Sequence, residues 1–166
     1  MRYTVTCMKN KIVDGFNHVM GLPGFDYQQI TDLVYIGTNM CCQFGFAKEL
    51  LSKGVRVDIS LEDLRIDAPH GVDYFLWLPT PDQHAPTPDA LVLGVQMLEF
   101  CVARKLPVYI HCRNGHGRAP TLFAAYLIKQ GMSVAQALET IHAKRPTAAI
   151  TDIQKASLQV YAKALK

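Results

Sequence analysis

The chain has 166 residues, of which 49% are hydrophobic and 19% charged, and its net charge is +3. This length predicts one globular domain, and the composition excludes an intrinsically disordered chain. Basic residues are scattered, so there is no strong signal for nucleic-acid binding. No apolar stretch approaches the roughly 20 residues of a membrane span, and no secretory signal is visible, so we expect a soluble, cytoplasmic protein.

The cysteine pattern predicts free thiols. Five cysteines occur, namely Cys7, Cys41, Cys42, Cys101 and Cys112. Their number is odd, they form no C-x-x-C pair, and the adjacent Cys41 and Cys42 are not expected to pair with each other. The histidines show no metal-ligand spacing, so we expect neither a structural zinc site nor a disulfide framework.

The N-terminal half of the chain predicts strands around one helix. Residues 1–32 have few element signals and are interpreted as a poorly defined N-terminal extension of a single domain over 1–166. Within them, Tyr3–Cys7 is a strand candidate and Gly15–Phe25 a loop. The clearer elements, in order, are a strand at Leu33–Ile36, a helix over 40–53 ended by Gly54, a strand at Val55–Ser60 and an aromatic, buried strand at Tyr74–Leu78.

The C-terminal half predicts helices around one strand. A proline-rich loop leads into Thr87 and Pro88, which match an N-cap followed by proline at the first helical position. Ser133 and Gln136 form a capping-box pattern. The elements, in order, are a helix from Pro88 to about Arg104, a strand at Val108–Ile110, a helix over 118–130, a helix to Lys144 and a last helix from Thr151. The alternation predicts an α/β domain with a mainly parallel central sheet flanked by helices.

The segment after the last predicted strand has the pattern H-C-x-x-G-x-x-R, from His111 to Arg118. Sites in such sheets form at the carboxyl ends of strands. At the start of the next helix, Cys112 faces unpaired N–H groups and the positive end of the helix dipole, which favour its thiolate. Gly115 and Gly117 allow the loop to curl into an anion-binding nest, and the Arg118 guanidinium matches two phosphate oxygens.

These features define an expected phosphate-binding loop of Arg113, Asn114, Gly115, His116, Gly117 and Arg118. Two orientations stay open for Arg113 and His116: toward the substrate, where they add positive charge, or away from it. His111 is expected to order the loop by hydrogen bonding. It is not expected to act as a base, because a base there would duplicate the thiolate.

This arrangement resembles the cysteine-based protein tyrosine phosphatase superfamily, whose C-x5-R signature is matched by Cys112 and Arg118. Over roughly residues 33–166 the chain is most similar to the compact dual-specificity branch. The resemblance implies a three-layer phosphatase-type domain, a cysteine nucleophile, a phosphate-binding arginine and a general-acid aspartate on an upstream loop. Asp82, thirty residues before Cys112 in the segment Thr80-Pro81-Asp82, is the expected acid, although Asp89 also lies near the loop.

The resemblance also implies a phosphomonoester hydrolase that works through a phosphocysteine intermediate without a metal or other cofactor. Its expected partner is a phosphorylated substrate, either a phosphoprotein or a small phosphate ester such as an inositol phosphate. Two alternatives stay open. One is a phosphate-binding pseudophosphatase, and the other is a rhodanese-like or arsenate-reductase-like thiol enzyme.

The chain departs from the family pattern at Ala119, where the family has Ser or Thr. That hydroxyl donates to the cysteine sulfur, and hydrogen bonds to charged groups contribute roughly 1.5–3 kcal/mol. We therefore expect a slower second step, in which the phosphoenzyme is hydrolysed, unless Thr121 substitutes. Gln154, at the start of the last helix, has two interpretations: a residue that positions the hydrolytic water, or a polar residue on a helix face.

Overall fold

The computed structural model describes residues 24–42 and 46–165. The strand candidate at Tyr3–Cys7 and most of the predicted loop at Gly15–Phe25 lie outside these ranges. Among the described helices, none combines the length and apolar character that a bilayer crossing requires.

Within the described residues, a five-stranded sheet forms the centre of the fold, in the order β1-β2-β5-β3-β4. The strands are β1 (Tyr27–Gln29), β2 (Val34–Thr38), β3 (Val57–Ser60), β4 (Tyr74–Trp77) and β5 (Val108–Cys112). β1 runs antiparallel to β2, and every other pair is parallel. The predicted α/β class with a mainly parallel sheet is confirmed.

Helices cover both faces of this sheet. They are α1 (Lys48–Ser52), α2 (Pro88–Ala103), α3 (Arg118–Lys129), α4 (Val134–Lys144) and α5 (Asp152–Ala164). The larger core lies between the sheet and α2 to α5, while a smaller core that includes Tyr35, Leu50 and Tyr109 lies on the opposite face. Ten of the twelve residues of α3 are buried, because α2, α4 and α5 all pack against it.

Capping chemistry sets the helix starts as the sequence predicts. Thr87 accepts the Ala90 N–H ahead of Pro88, and full capping boxes open α4 at Ser133 and α5 at Thr151. Each cap satisfies backbone N–H groups that the first helical turn cannot pair internally. These three starts are therefore determined locally.

Three predictions differ from the structure. The single helix over 40–53 is instead a 3-10 turn at Asn39–Cys42 followed, after residues 43–45, by the short α1. β4 is an edge strand among the described strands, where β3 is its one partner, and its Tyr74 and Phe75 are exposed. β1 lies within the segment interpreted as an extension, and its polar sequence gives little strand signal.

Candidate active site

The carboxyl ends of the parallel strands lie at one edge of the sheet. Cys112, the last residue of β5, is aligned with Thr38 at the end of β2, while His111 is aligned with Ser60 at the end of β3. The chain then turns through residues 113–117 into α3, which begins at Arg118. The predicted strand–loop–helix context of the cysteine motif is thus present.

The loop turns its carbonyl groups toward donors outside it. The carbonyl oxygens of Arg113, His116 and Gly117 each accept a backbone N–H from beyond the loop, at 3.3, 2.8 and 2.9 Å. Across residues 24–42 and 46–165, no acceptor is found for the backbone N–H groups of 113–117. The loop can therefore offer these N–H groups to an oxyanion.

The two remaining loop carbonyls are held by a buried arginine for which the sequence predicts no role in the loop. Arg145, at the end of α4, donates its Nε to Gly115 at 2.8 Å and an Nη to Asn114 at 3.2 Å. Asp26 pairs with the same guanidinium at 2.8 Å. Arg145 lies thirty residues from Gly115, and Asp26 lies in the N-terminal segment that has few element signals. Local sequence patterns therefore do not predict the contacts of Arg145 with these two residues.

Arg118 is buried at the mouth of the loop and is surrounded by acceptors. One Nη donates to the backbone oxygen of Thr80 at 2.8 Å and lies 3.1 Å from the Asp63 carboxylate. Buried Glu62 lies 3.8 Å away. The Nε of Arg118 has no hydrogen-bond partner within the described part of the chain. A buried N–H without an acceptor costs free energy, so this group favours an added hydrogen-bond acceptor such as a phosphoryl oxygen.

Asp82 reaches the same guanidinium from the proline-rich loop before α2. Its carboxylate lies 3.1 Å from the second Nη of Arg118, and 68% of the side chain is exposed. Asp89 instead lies in the first turn of α2. The structure therefore brings Asp82, Arg118 and the Cys112 loop together.

These groups line a cleft of about 180 Å³ together with Asn114, His116 and Gly117. His116 faces the cleft, whereas Arg113 is not part of its lining. Burial and the Arg145 charge lower the pKa of His116, so its neutral form is favoured near pH 7. Arg113 and His116 are the two loop residues that the sequence offers as extra positive charge. Of these, His116 lies in the cleft, and its lowered pKa reduces the positive charge that it carries there.

His111 does not face the phosphate loop. Successive strand residues point to opposite faces, so Cys112 packs with the larger core while the His111 ring lies near Asp58 and Asp67, at 3.3 and 3.6 Å. Burial lowers the pKa of His111, but the two carboxylates outweigh it and raise that pKa above its ordinary value. Any ordering of the loop by His111 must act through this buried cluster, and that role stays a prediction.

The hydroxyl proposed as a substitute at Thr121 has another partner. It donates to the Gly117 carbonyl oxygen at 2.9 Å, while Ala119 is fully buried at the start of α3. Gln154 is also fully buried, so it is not a polar residue on an exposed helix face. Its amide donates to the backbone oxygen of His84, two residues after Asp82, at 2.9 Å.

The expectation of free thiols is wrong for Cys41 and Cys42, which form a disulfide between adjacent residues. The 3-10 turn buries both side chains against the same face of the sheet, which brings the sulfurs together. Ligand atoms of Cys41, Cys42, Asp58 and His111 lie within 4.8 Å of one another. In this oxidised state, however, the cluster lacks the thiolates that make cysteine a strong metal ligand.

Comparison with known proteins identifies the family. Residues 37–132 match the family described as polymorphic toxin system, DSP-PTPase phosphatase. Human protein tyrosine phosphatase type IVA 3 is 39% identical over 83 residues, which cover 48% of this chain and 47% of that protein. The chain thus spans about half the length of this curated relative.

Solved structures with the same fold include phosphatases. The structure of PTPMT1 in complex with PI(5)P is 26% identical with a TM-score of 0.73, covering 84% of this chain and 96% of PTPMT1. Human DUSP28 is 22% identical with a TM-score of 0.73, covering 83% and 96%, and supports the fold alone. By fold, cysteine loop and family match, this chain belongs to the polymorphic toxin system DSP-PTPase phosphatases, within the cysteine-based protein tyrosine phosphatase superfamily.

Proposed function

We propose that the protein is a cysteine-dependent phosphomonoesterase that works through a phosphocysteine intermediate. The observation that carries this proposal is the convergence of Cys112, Arg118 and Asp82 on one cleft of about 180 Å³. Family membership supports the same reaction class. The other described free cysteine, Cys101, is buried in the core, where burial raises its pKa to about 11, so it is a poor nucleophile at neutral pH.

In the first step, the Cys112 sulfur attacks phosphorus in line with the leaving oxygen. The S–P bond forms as the P–O bond breaks, and Asp82 gives its proton to the departing oxygen. Arg118 and the loop N–H groups bind the equatorial phosphoryl oxygens. In the second step Asp82 takes a proton from water, which attacks phosphorus and releases phosphate and the Cys112 thiolate.

The polar character of the cleft favours small, hydroxyl-rich phosphate esters among the expected substrates. Asn114, His116 and Gln83 offer hydrogen-bonding groups in its lining, and no Phe, Tyr or Trp side chain is found among its described lining residues. A phosphotyrosine ring thus has no described Phe, Tyr or Trp side chain on which to stack, whereas polyol hydroxyls have several polar partners. The complex of PTPMT1 with PI(5)P, a phosphoinositide, is consistent with this preference.

The test is steady-state hydrolysis of p-nitrophenyl phosphate, inositol phosphates and phosphopeptides by the wild type and by Cys112→Ser. We expect a loss of about 10³-fold or more, because the variant lacks the covalent nucleophile. Cys101→Ala is the matched control and should keep wild-type rates. Full activity of Cys112→Ser would contradict the proposed mechanism.

A second candidate function, a phosphate-binding pseudophosphatase, is favoured by one observation: Ala119 provides no hydroxyl and Thr121 bonds to Gly117 instead. Rapid-quench measurement with a labelled substrate separates the two functions. An enzyme releases many equivalents of phosphate per active site, whereas the pseudophosphatase at most forms one equivalent of phosphocysteine that persists.

A further inference from the structure

The N-terminus of α5 is hydrogen-bonded to the loop that carries Asp82. The Thr151 hydroxyl donates to the Gln83 carbonyl oxygen at 3.1 Å, and the Gln154 amide donates to the His84 carbonyl oxygen at 2.9 Å. Both acceptors belong to the two residues directly after Asp82. Gln83 has a φ of 62°, a left-handed conformation that costs a non-glycine residue of order 1 kcal/mol and persists only where the surroundings hold it.

Gln154 is itself firmly held. Its Oε1 accepts the Thr151 N–H at 2.9 Å in the capping box of α5, which leaves the amide nitrogen directed at His84. Gly117 of the phosphate loop lies close to the same amide, because a Cβ built on Gly117 would come within 2.9 Å of Oε1. The fully buried Gln154 amide therefore lies next to Gly117 of the phosphate loop and is hydrogen-bonded to the Asp82 loop.

Asp82 needs such an anchor. Its carboxylate is largely exposed, and its ion pair is with Arg118, the residue proposed to bind the phosphoryl group. When a phosphoryl group engages the Arg118 guanidinium, the pair with Asp82 is weakened by competition. A general acid must nevertheless stay within hydrogen-bond reach of the leaving oxygen, and a displacement of about 1 Å can cost about 10²-fold in rate.

We propose that Thr151 and Gln154 are positioning residues that hold the Asp82 loop over the Cys112 cleft and thereby set the efficiency of leaving-group protonation. The inference rests on the proposed function, because it assumes that Asp82 is the acid. The reaction is unchanged by it: Thr151 and Gln154 exchange no proton with the substrate and act only through the backbone of Gln83 and His84.

The test compares kcat/KM, which reports the first chemical step, for a good leaving group (p-nitrophenyl phosphate) and a poor one (phenyl phosphate). Protonation matters more for the poor leaving group. For Thr151→Val and Gln154→Met we expect a selective loss on phenyl phosphate of about tenfold, a part of the roughly 10²–10⁴ that acid–base catalysis supplies. Thr151→Ser, which keeps the hydroxyl, should retain the wild-type ratio of the two rates.

A control for the loss of a helix cap alone is offered by α4, which has the same capping box but, within the described part of the chain, no hydrogen bond to the Asp82 loop. Gln136→Met removes the equivalent side chain there. We expect it to lower the melting temperature without changing the ratio of the two rates. Equal losses on both substrates for Thr151→Val and Gln154→Met, or the same selective loss in Gln136→Met, would overturn the inference.

Asp82→Asn distinguishes failure of this inference from failure of the proposed function. If Asp82→Asn shows a large selective loss on phenyl phosphate while the two α5 variants show none, only the positioning role is overturned. If Asp82→Asn shows no selective loss, the acid assignment fails and the positioning role falls with it. A selective loss in all three variants, largest for Asp82→Asn, supports both.

Discussion

The Nε of Arg145 lies 2.8 Å from the carbonyl oxygen of Gly115, and this bond joins the end of α4 to the centre of the phosphate loop. The same guanidinium also holds Asn114 and pairs with Asp26. The buried Arg145 guanidinium thus holds the carbonyl groups of Asn114 and Gly115, and the loop N–H groups stay available to an oxyanion. The geometry of the proposed anion site therefore depends on a residue that does not line the cleft.

Replacing Arg145 tests this dependence. In Arg145→Lys the compact ammonium cannot reproduce the planar fork that reaches both carbonyls and Asp26. We expect the free energy of unfolding to fall by about 3 kcal/mol, and inhibition by inorganic phosphate to weaken by about tenfold or more. Urea denaturation and inhibition kinetics measure the two effects. Arg104→Lys, at the exposed end of α2, is the control, and equal behaviour of the two variants would contradict the proposed role.

Gly115 offers a test of the loop backbone itself. Its φ is +66°, and a Cβ would lie 2.5 Å from the Gly37 carbonyl oxygen, which is backbone and cannot move aside. Gly115→Ala should therefore abolish phosphate binding and destabilise the fold by more than the about 1–2 kcal/mol of left-handed strain. Gly131→Ala is the matched control, because Gly131 has a φ of +100° but no described atom within 4 Å of its Cβ position. It should lose stability only, with an unchanged kcat/KM.

Ala119 predicts a slow second step. Ala119→Ser supplies the missing hydroxyl with the smallest possible increase in volume at a buried position. We expect turnover to rise by about tenfold, the equivalent of about 1.4 kcal/mol, and the burst of released alcohol to become less distinct from the steady state. Stopped-flow kinetics with p-nitrophenyl phosphate measures both. Ala125→Ser, on the same helix, controls for burial of a new hydroxyl, and a large burst that persists in Ala119→Ser would contradict the prediction.

The buried His111 makes stability depend on pH. Because Asp58 and Asp67 overcome burial and hold the folded-state pKa of His111 above its ordinary value of 6.5, protonated His111 stabilises the fold fully below about pH 6.5. That contribution is lost as the pH rises through the raised folded-state pKa. Melting temperatures measured from pH 6 to 9 should therefore fall more steeply for the wild type than for His111→Asn. The exposed His142→Asn should follow the wild type, and parallel curves for wild type and His111→Asn would refute the prediction.

The disulfide between Cys41 and Cys42 limits how many thiols can be alkylated. Without reductant, unfolded protein should accept at most three iodoacetamide labels, and after reduction it should accept five. Intact-mass spectrometry counts the labels. Because the bond joins adjacent residues, its reduction frees almost no chain entropy, and we expect a small change in melting temperature. Five labels without reductant would show that the pair is reduced.

Local sequence patterns predict many of the secondary-structure elements of this protein and the place of its cysteine motif. The alternation of apolar strands with capped helices predicts the sheet and the starts of α2, α4 and α5, because caps and periodicity act within a few residues. The Cys112 motif and the upstream Asp82 predict which side chains meet, since the carboxyl ends of parallel strands share one edge. The prediction of one helix over 40–53 is wrong because the burial of this segment is set by packing against the sheet and not by its own spacing.

The tertiary structure alone decided how the site is held. Arg145 reaches Gly115 across thirty residues, Thr151 and Gln154 reach the Asp82 loop across about seventy, and Asp26 joins them from a segment with few sequence signals. Successive strand residues point to opposite faces of the sheet, so the His111 side chain faces away from the loop that follows its neighbour Cys112. The sequence by itself predicted the proposed reacting groups, because the motif that points to them is local. The contacts that orient them depend on which distant segments the fold packs together.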